Sequence, residues 1–341
     1  MKSLWLLLAL AALGNAYAAS SGPGVAPESG RRVEAGKATG LPPRVPDDAA
    51  WAGAPEVLVR LYPQLSVPPA LEAGEPLVLR VRLLVGQGRL AVRLAWPDKT
   101  ADRHTLKHTD RFADAAAVQF PARPGPTLPY IGMGEPDRPV AVWYWRAGAP
   151  VQRLGARGFG TLAPAAGTAP AAAEMRSGDG WAVVLRAALP AKSANPLPLA
   201  FAVWDGAEQG RAGRKRLSGW LLAVVPGLAT EPARYRALAR ENNVRGDAAR
   251  GRALVAARGC GGCHWLPGEP PTHLGPALLY AGGIHSPAYL RRSILDPSAF
   301  VVPGKGYGVT GADGKPASIM PRMEWKADEA EDMVAYLAGL Q

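Results

Sequence analysis

The residues best equipped for chemistry stand together at Cys260-Gly261-Gly262-Cys263-His264. Two thiols two residues apart, followed at once by an imidazole, form a c-type haem attachment signature. The thiols add across the two vinyl groups of haem, and His264 then lies under the iron as its proximal ligand. A structural zinc site needs two further ligands at matching spacing, and the chain has only 2 cysteines. A redox Cys-x-x-Cys follows a strand in a βαβ unit, whereas the run before Cys260 is helical in pattern. A plain disulfide leaves His264 unexplained. The motif therefore predicts one covalent haem c on Cys260 and Cys263, with His264 on its iron. His104 and His108 are a second pair of metal-capable residues. They fall in an expected loop near strands, where a spacing of four carries little meaning and an exposed polar loop is the plainer reading.

The elements that must position this motif are short helices. Asp247 stands where an N-cap or first-turn acid belongs, ahead of a helix expected over 248–258. Ser286-Pro287 is an N-cap and N1 pair for a helix over 288–295 that stops before Pro297. Ala330, Met333, Val334 and Leu337 give a helical stripe, with Asp328 and Glu329 in its first turn. These helices define a small all-α domain over 245–341, joined by a linker over 229–244 that includes a short helix at 231–241.

Upstream the period changes to two. Leu77, Leu79, Val81 and Leu83 alternate with residues that include Arg80 and Arg82, and Leu90, Val92, Leu94 and Trp96 repeat the pattern. Further apolar runs at 140–145, 181–185, 199–204 and 220–225 are punctuated by Gly and Pro. This predicts a β-sandwich of many short strands over 51–228, with 155–178 as a long loop. The fold class is thus mainly β plus α, a sandwich followed by a small helical domain.

The first residues read as a secretory signal peptide over 1–18: Lys2, an apolar stretch from Leu4 to Leu13, and Ala16-Tyr17-Ala18 as a cleavage site. Residues 19–50, rich in Gly, Pro, Ala and charge, read as a flexible leader. No later segment reaches the ~18 apolar residues of a membrane span, so a periplasmic protein without a span is expected. The formal charge is +11. Nucleic acid is not a partner in that compartment, and the charge suits either docking on an acidic protein or a solvated basic surface.

Residues 245–340 resemble the class I cytochrome c family. Gly251-Arg252-Ala253-Leu254 matches its first helix, where Gly permits a close crossing with the last helix near Tyr336 and Leu337. His273-Leu274-Gly275-Pro276 matches the loop whose Pro carbonyl bonds the proximal His. Met320-Pro321 matches the distal ligand motif, which implies Met320 as sixth ligand, with Met323 as competitor. A packed core Met is the plain alternative for either.

A second resemblance covers 51–225. It is carried by Leu197-Pro198-Leu199-Ala200-Phe201-Ala202-Val203-Trp204-Asp205-Gly206, then Arg211-Ala212-Gly213-Arg214-Lys215 and Ser218-Gly219-Trp220. It continues in 90–96 with Asp98 and Thr100, in Phe112-Ala113-Asp114-Ala115 through Gln119-Phe120-Pro121, and in Met133-Gly134-Glu135-Pro136 followed by 140–145. These resemble the haem b (γ) subunit of type II dimethyl sulfoxide reductase family molybdoenzymes, the group that contains the γ subunits of ethylbenzene dehydrogenase and of the selenate, chlorate and dimethyl sulfide oxidoreductases. The resemblance implies a sandwich that holds one non-covalent haem b between Met133 and Lys215. Lys must be neutral to bind iron, so burial and the metal's charge must lower its pKa, and Arg211, Arg214 and Arg216 would act in the same direction.

Simple γ subunits of that family have no haem c tail. The fusion resembles nitrite oxidoreductase and nitrate reductase type γ subunits, which implies a dihaem electron-transfer subunit without catalysis of its own. Its implied partners are a molybdopterin catalytic subunit, an iron–sulfur subunit and a soluble redox carrier. Two other readings stay open on the residues alone: a solitary monohaem c-type cytochrome with a sandwich docking or binding module, and a haem peroxidase or oxidase with an open iron.

Overall fold

The computed structural model describes residues 30–103, 110–176, 178–190, 193–302 and 306–341. The signal segment expected over 1–18, the start of the leader, and His104 and His108 lie outside the described residues.

The period-two segments form strands, as alternation on a pleated sheet requires. In chain order they are β1 Arg32–Glu34, β2 Gly36–Lys37, β3 Glu56–Pro63, β4 Leu77–Gly86, β5 Arg89–Pro97, β6 Ala115–Pro121 and β7 Val140–Arg146. There follow β8 Gln152–Ala156, β9 Ala163–Pro164, β10 Ala171–Arg176, β11 Gly180–Ala188, β12 Leu197–Trp204, β13 Arg216–Leu217 and β14 Leu221–Val224. The path runs β10-β11-β5-β4-β3-β13-β12-β6-β7-β8-β9, so β13 joins the two halves. Leu79, Val81, Val92, Leu94 and Leu185 of the first half pack with Val118, Phe120, Trp143, Leu199 and Phe201 of the second in one core. The β-sandwich stands as expected.

The second half departs from simple alternation. The opposite face of β6, β7, β8 and β12 carries Ala117, Val142, Leu154 and Ala200, all at least 93% buried. A sandwich face turned to water carries polar residues there. This face is covered, or it lines a pocket.

Two expectations are corrected. The leader over 19–50 is not free from Arg32 onward: β1 pairs in parallel with β14, β2 with β4, and Val33 is buried in the core. Its short strands lack an apolar run and draw their register from partners far along the chain. The loop over 155–178 contains β9 and β10, and β10 closes an edge on β11 from Ala171↔Arg186 to Arg176↔Trp181. An edge strand rich in Ala buries little, so its sequence carries no strand signal.

The second unit is helical: α1 Pro232–Glu241, α2 Ala248–Ala257, α3 Ala281–Ile284, α4 Pro287–Leu295 and α5 Ala327–Ala338, with a hairpin of β15 Gly308–Thr310 and β16 Pro316–Ser318 before α5. Asp247 caps α2, its Oδ1 accepting from the N–H of Ala249 (2.8 Å) and Arg250 (3.0 Å). Ser286 Oγ accepts from Tyr289 N–H (3.2 Å) at α4. At Gly251, α2 crosses α5 so closely that a methyl group would overlap the Asp332 carbonyl and approach Tyr336 Cβ to 2.9 Å. No helix among the described residues is long and apolar enough to cross a membrane.

Candidate haem-binding sites

Cys260–Gly262 forms a single 3-10 turn after Gly259, whose φ of +68° lets the chain leave α2 sharply. Cys260 is half-buried and Cys263 exposed, and both are free thiols. His264 Nδ1 lies 2.8 Å from the Pro276 carbonyl. A carbonyl only accepts, so Nδ1 carries the proton and Nε2 keeps the lone pair needed by a metal. Burial holds the imidazole below the usual histidine pKa, with the Pro276 bond opposing. Gly275 is required beside it, since a methyl group there would come within 2.8 Å of His264 Cε1 and Nδ1. Met320 and Met323 are both half-buried on the segment after β16, and neither is among the described side chains of the helical core. That speaks against the packed-core reading for both. The residues fit a covalently attached haem: two free thiols on one turn, then an imidazole with a fixed tautomer.

The apolar outer face of the sandwich lines a cavity of about 890 Å³ that also receives Met133 and Lys215. Its volume falls within the range of about 300–1,000 Å³ usual for cofactor pockets. Lys215 precedes β13 and is held at both main-chain groups. Its N–H donates to the Gly213 carbonyl (2.9 Å) and its carbonyl accepts from Gln64 N–H (2.9 Å). Gln64 Nε2 in turn donates to the carbonyls of Val67 (2.7 Å) and Gly213 (2.8 Å). The Lys215 side chain is buried, with Nζ 5.0 Å from the Trp204 ring centroid, and no carboxylate among the described residues pairs with it.

Burial pushes the Lys215 pKa down to about 8. The cause is burial rather than the neighbouring arginines, which corrects the expected contribution of Arg211, Arg214 and Arg216. Arg216 is paired with Glu208. The consequence for stability has a definite sign. Between about pH 8 and the ordinary lysine value of 10.5 the unfolded chain binds the proton that the folded one releases. Stability of the haem-free sandwich therefore rises with pH across that window and carries the full cost below it, about 3 kcal/mol. Lys215→Leu is expected to remove the slope and to stabilise the haem-free protein by a similar amount at pH 7, as read by urea unfolding.

Met133 has a φ of +74°, a left-handed backbone that a non-glycine residue seldom adopts. The turn is locked: Gly134 N–H donates to the Tyr130 carbonyl and Gly158 N–H to the Met133 carbonyl (2.9 and 2.8 Å). Strain of this kind persists where surroundings over-determine it, commonly at ligand sites. A thioether and a lysine pushed toward its neutral form line one cavity, and these two side chains would hold a haem iron bound there. Arg111, Arg146 and Arg211 also line the cavity and supply partners for carboxylate substituents.

The two sites are linked by an interface that sequence reasoning missed. Glu135, two residues from Met133, is buried and accepts from Arg138 (2.6 Å) and from Arg292 of α4 (3.0 and 3.1 Å). Beside it Tyr130 packs on Tyr289 and Phe300, with ring centroids 5.0 and 4.8 Å away. Tyr280 hydroxyl donates to the Gly74 carbonyl (2.8 Å), and Tyr307 hydroxyl to that of Ser66 (2.8 Å). Glu135→Gln removes the charge shared by two arginines at this seam. We expect a loss of about 2–4 kcal/mol, measured by chemical unfolding, together with faster proteolysis between the units. The available signal was the unbroken apolar run Val140-Ala141-Val142-Trp143-Tyr144-Trp145, which marks a strand buried on both faces.

Comparison with known proteins follows this division. A family model described as ethylbenzene dehydrogenase matches residues 48–161, and one described as cytochrome c matches 248–341. The chain is 37% identical over 231 residues to chlorate reductase subunit gamma of Ideonella dechloratans, covering 64% of this chain and 93% of that protein. It is 33% identical over 215 residues to dimethylsulfide dehydrogenase subunit gamma of Rhodovulum sulfidophilum, covering 56% and 78%. A Haloferax mediterranei protein, provisionally named a respiratory nitrate reductase heme subunit, is 36% identical over 189 residues, covering 52% and 67%.

Proposed function

The chain belongs to the family of gamma subunits that includes those of chlorate reductase and dimethylsulfide dehydrogenase, and we propose that it is the dihaem electron-transfer subunit of a molybdenum and iron–sulfur oxidoreductase. It is not the catalytic subunit. In this reading Met133 and Lys215 hold a haem b in the sandwich cavity, and Cys260, Cys263, His264 and Met320 hold a haem c in the helical domain. Bound haem supplies a one-electron ferric/ferrous couple at each place. Lys215 contributes an amine already biased toward its neutral form by burial. Met320 contributes a thioether, which favours the ferrous state and suits transfer over substrate binding.

One observation carries the reading: Lys215, buried and unpaired among the described residues, shares an apolar cavity with Met133 in its strained turn. A docking module without haem gives no reason for a buried amine there. The remaining assignments complete the proposal: a periplasmic location, a molybdopterin subunit and an iron–sulfur subunit as partners, and a soluble carrier beyond the haem c domain. A tagged chain purified from its native cells is expected to bring both subunits at one copy each, with one molybdenum per complex by elemental analysis. Recovery of the chain alone, free of molybdenum, from cells that express the whole gene neighbourhood would contradict it.

A further inference from the structure

Three carboxylates that neither haem site uses converge at one end of the sandwich. Asp98 follows β5, Asp114 precedes β6 and Asp205 follows β12. Each brings an oxygen to within 4.8 Å of the others. Asp114 is fully buried and Asp98 is 6% exposed. Like charges gathered out of water repel strongly, so a set of this kind needs neutralising.

The protein's own cations are engaged elsewhere. Arg103 pairs with Glu174 and Arg216 with Glu208. Arg176 Nη2 donates to the main-chain carbonyl of Asp98 (3.0 Å) rather than to its carboxylate. Among the described residues no lysine or arginine pairs with any of the three acids.

A second observation comes from the hydrogen bonds. Asp98 Oδ1 accepts from the Thr100 N–H (2.9 Å), while the Thr100 hydroxyl donates to Asp102 Oδ2 (2.5 Å). The other Asp98 oxygen, Oδ2, is sealed from solvent and accepts nothing from the protein. Buried acceptors are seldom left in that condition. Asp98 and Asp205 also line a cavity of about 160 Å³, shared with Glu208 and Arg216. Asp114 does not line that cavity, which opens on the Asp98 and Asp205 side of the cluster and gives room for waters there.

We infer that Asp98, Asp114 and Asp205 bind one divalent cation of the calcium class. The donors are all oxygen, which selects a hard ion over zinc or copper. Oxygens up to 4.8 Å apart fit around a single centre with bonds of about 2.3–2.6 Å. The cation offsets the mutual repulsion of the three carboxylates. It also ties together strand ends that build the haem b cavity: Phe112 and Ala113 beside Asp114, and the segment from Asp205 to Lys215. The ion site stands on these acids alone, none of which lines the haem cavity, and is independent of what that cavity binds.

The test uses the mature full-length chain with its haem content measured. After treatment with a chelator it is titrated with CaCl2 by calorimetry, with MgCl2 as comparison. One calcium per chain is expected, magnesium binding at least about tenfold more weakly, and a raised melting midpoint in millimolar calcium. Asp98→Asn and Asp205→Asn are each expected to lose the heat in protein that remains folded and keeps its covalent haem c. If a variant does not fold, the wild-type isotherm decides alone. Absence of calcium binding by the wild-type chain overturns the inference. So does equal binding of magnesium, or calcium binding that survives in folded variants.

Discussion

Lys215→Ala and Met133→Ala are each expected to strip the b-type haem spectrum from the chain while the c-type spectrum stays intact. The loss of haem b affinity should exceed about 100-fold, since even outer-shell partners of a metal site are worth 10–100-fold. The lysine variant separates ligation from folding. Its amine is buried and pushed down to about 8 by that burial, so its removal relieves a cost to the haem-free sandwich. A spectrum lost from a protein that melts no lower reports the missing ligand. The methionine variant leaves the turn intact, because Gly134 N–H and Gly158 N–H hold it through main-chain atoms. Retention of a six-coordinate b-type spectrum in both variants would remove this cavity from the account.

A second large effect lies at the other site. With Cys260→Ser and Cys263→Ser combined, haem stain on denaturing gels is expected to vanish, while extractable haem b persists. Single variants keep one thioether and a shifted spectrum. Cys260 and Cys263 are the chain's only two cysteines and both are free thiols on one tight turn, so no third cysteine competes with haem for either. His264 is held by Pro276 with Nε2 left for iron, and His264→Ala should leave covalent haem with an altered spin state. In the same series Met320→Ala is expected to give a high-spin, ligand-accessible iron, whereas Met323→Ala leaves it low-spin. The reverse pattern would exchange the roles of the two methionines.

Local chemistry was readable where one residue does one job. Asp247, Ser286 and Gly251 announce a cap, a cap and a crossing, and each does so in the structure. The alternation in β4 and β5 announced the sandwich. β1 and β10 were not readable, because an Ala- or Gly-flanked strand takes its register from a distant partner. Lys215 stands in an arginine-rich run that by itself marks no ligand; the family resemblance singled it out, and the folded chain buries it. Asp98, Asp114 and Asp205 lay in conspicuous stretches of sequence, yet ninety residues separate the last two. Their meeting depends on where β5 and β12 end and β6 begins. The interface through Glu135 and Tyr130 was hidden for the same reason: it joins units that each read as complete.

On the proposed reading one chain carries two chemically different haems. Pyridine haemochrome spectra of the mature protein, taken before and after acid-acetone extraction, count them directly. One extractable haem b and one haem c that stays with the polypeptide are expected. A full complement of haem c with no extractable haem b, from cells supplied with haem, would contradict that reading.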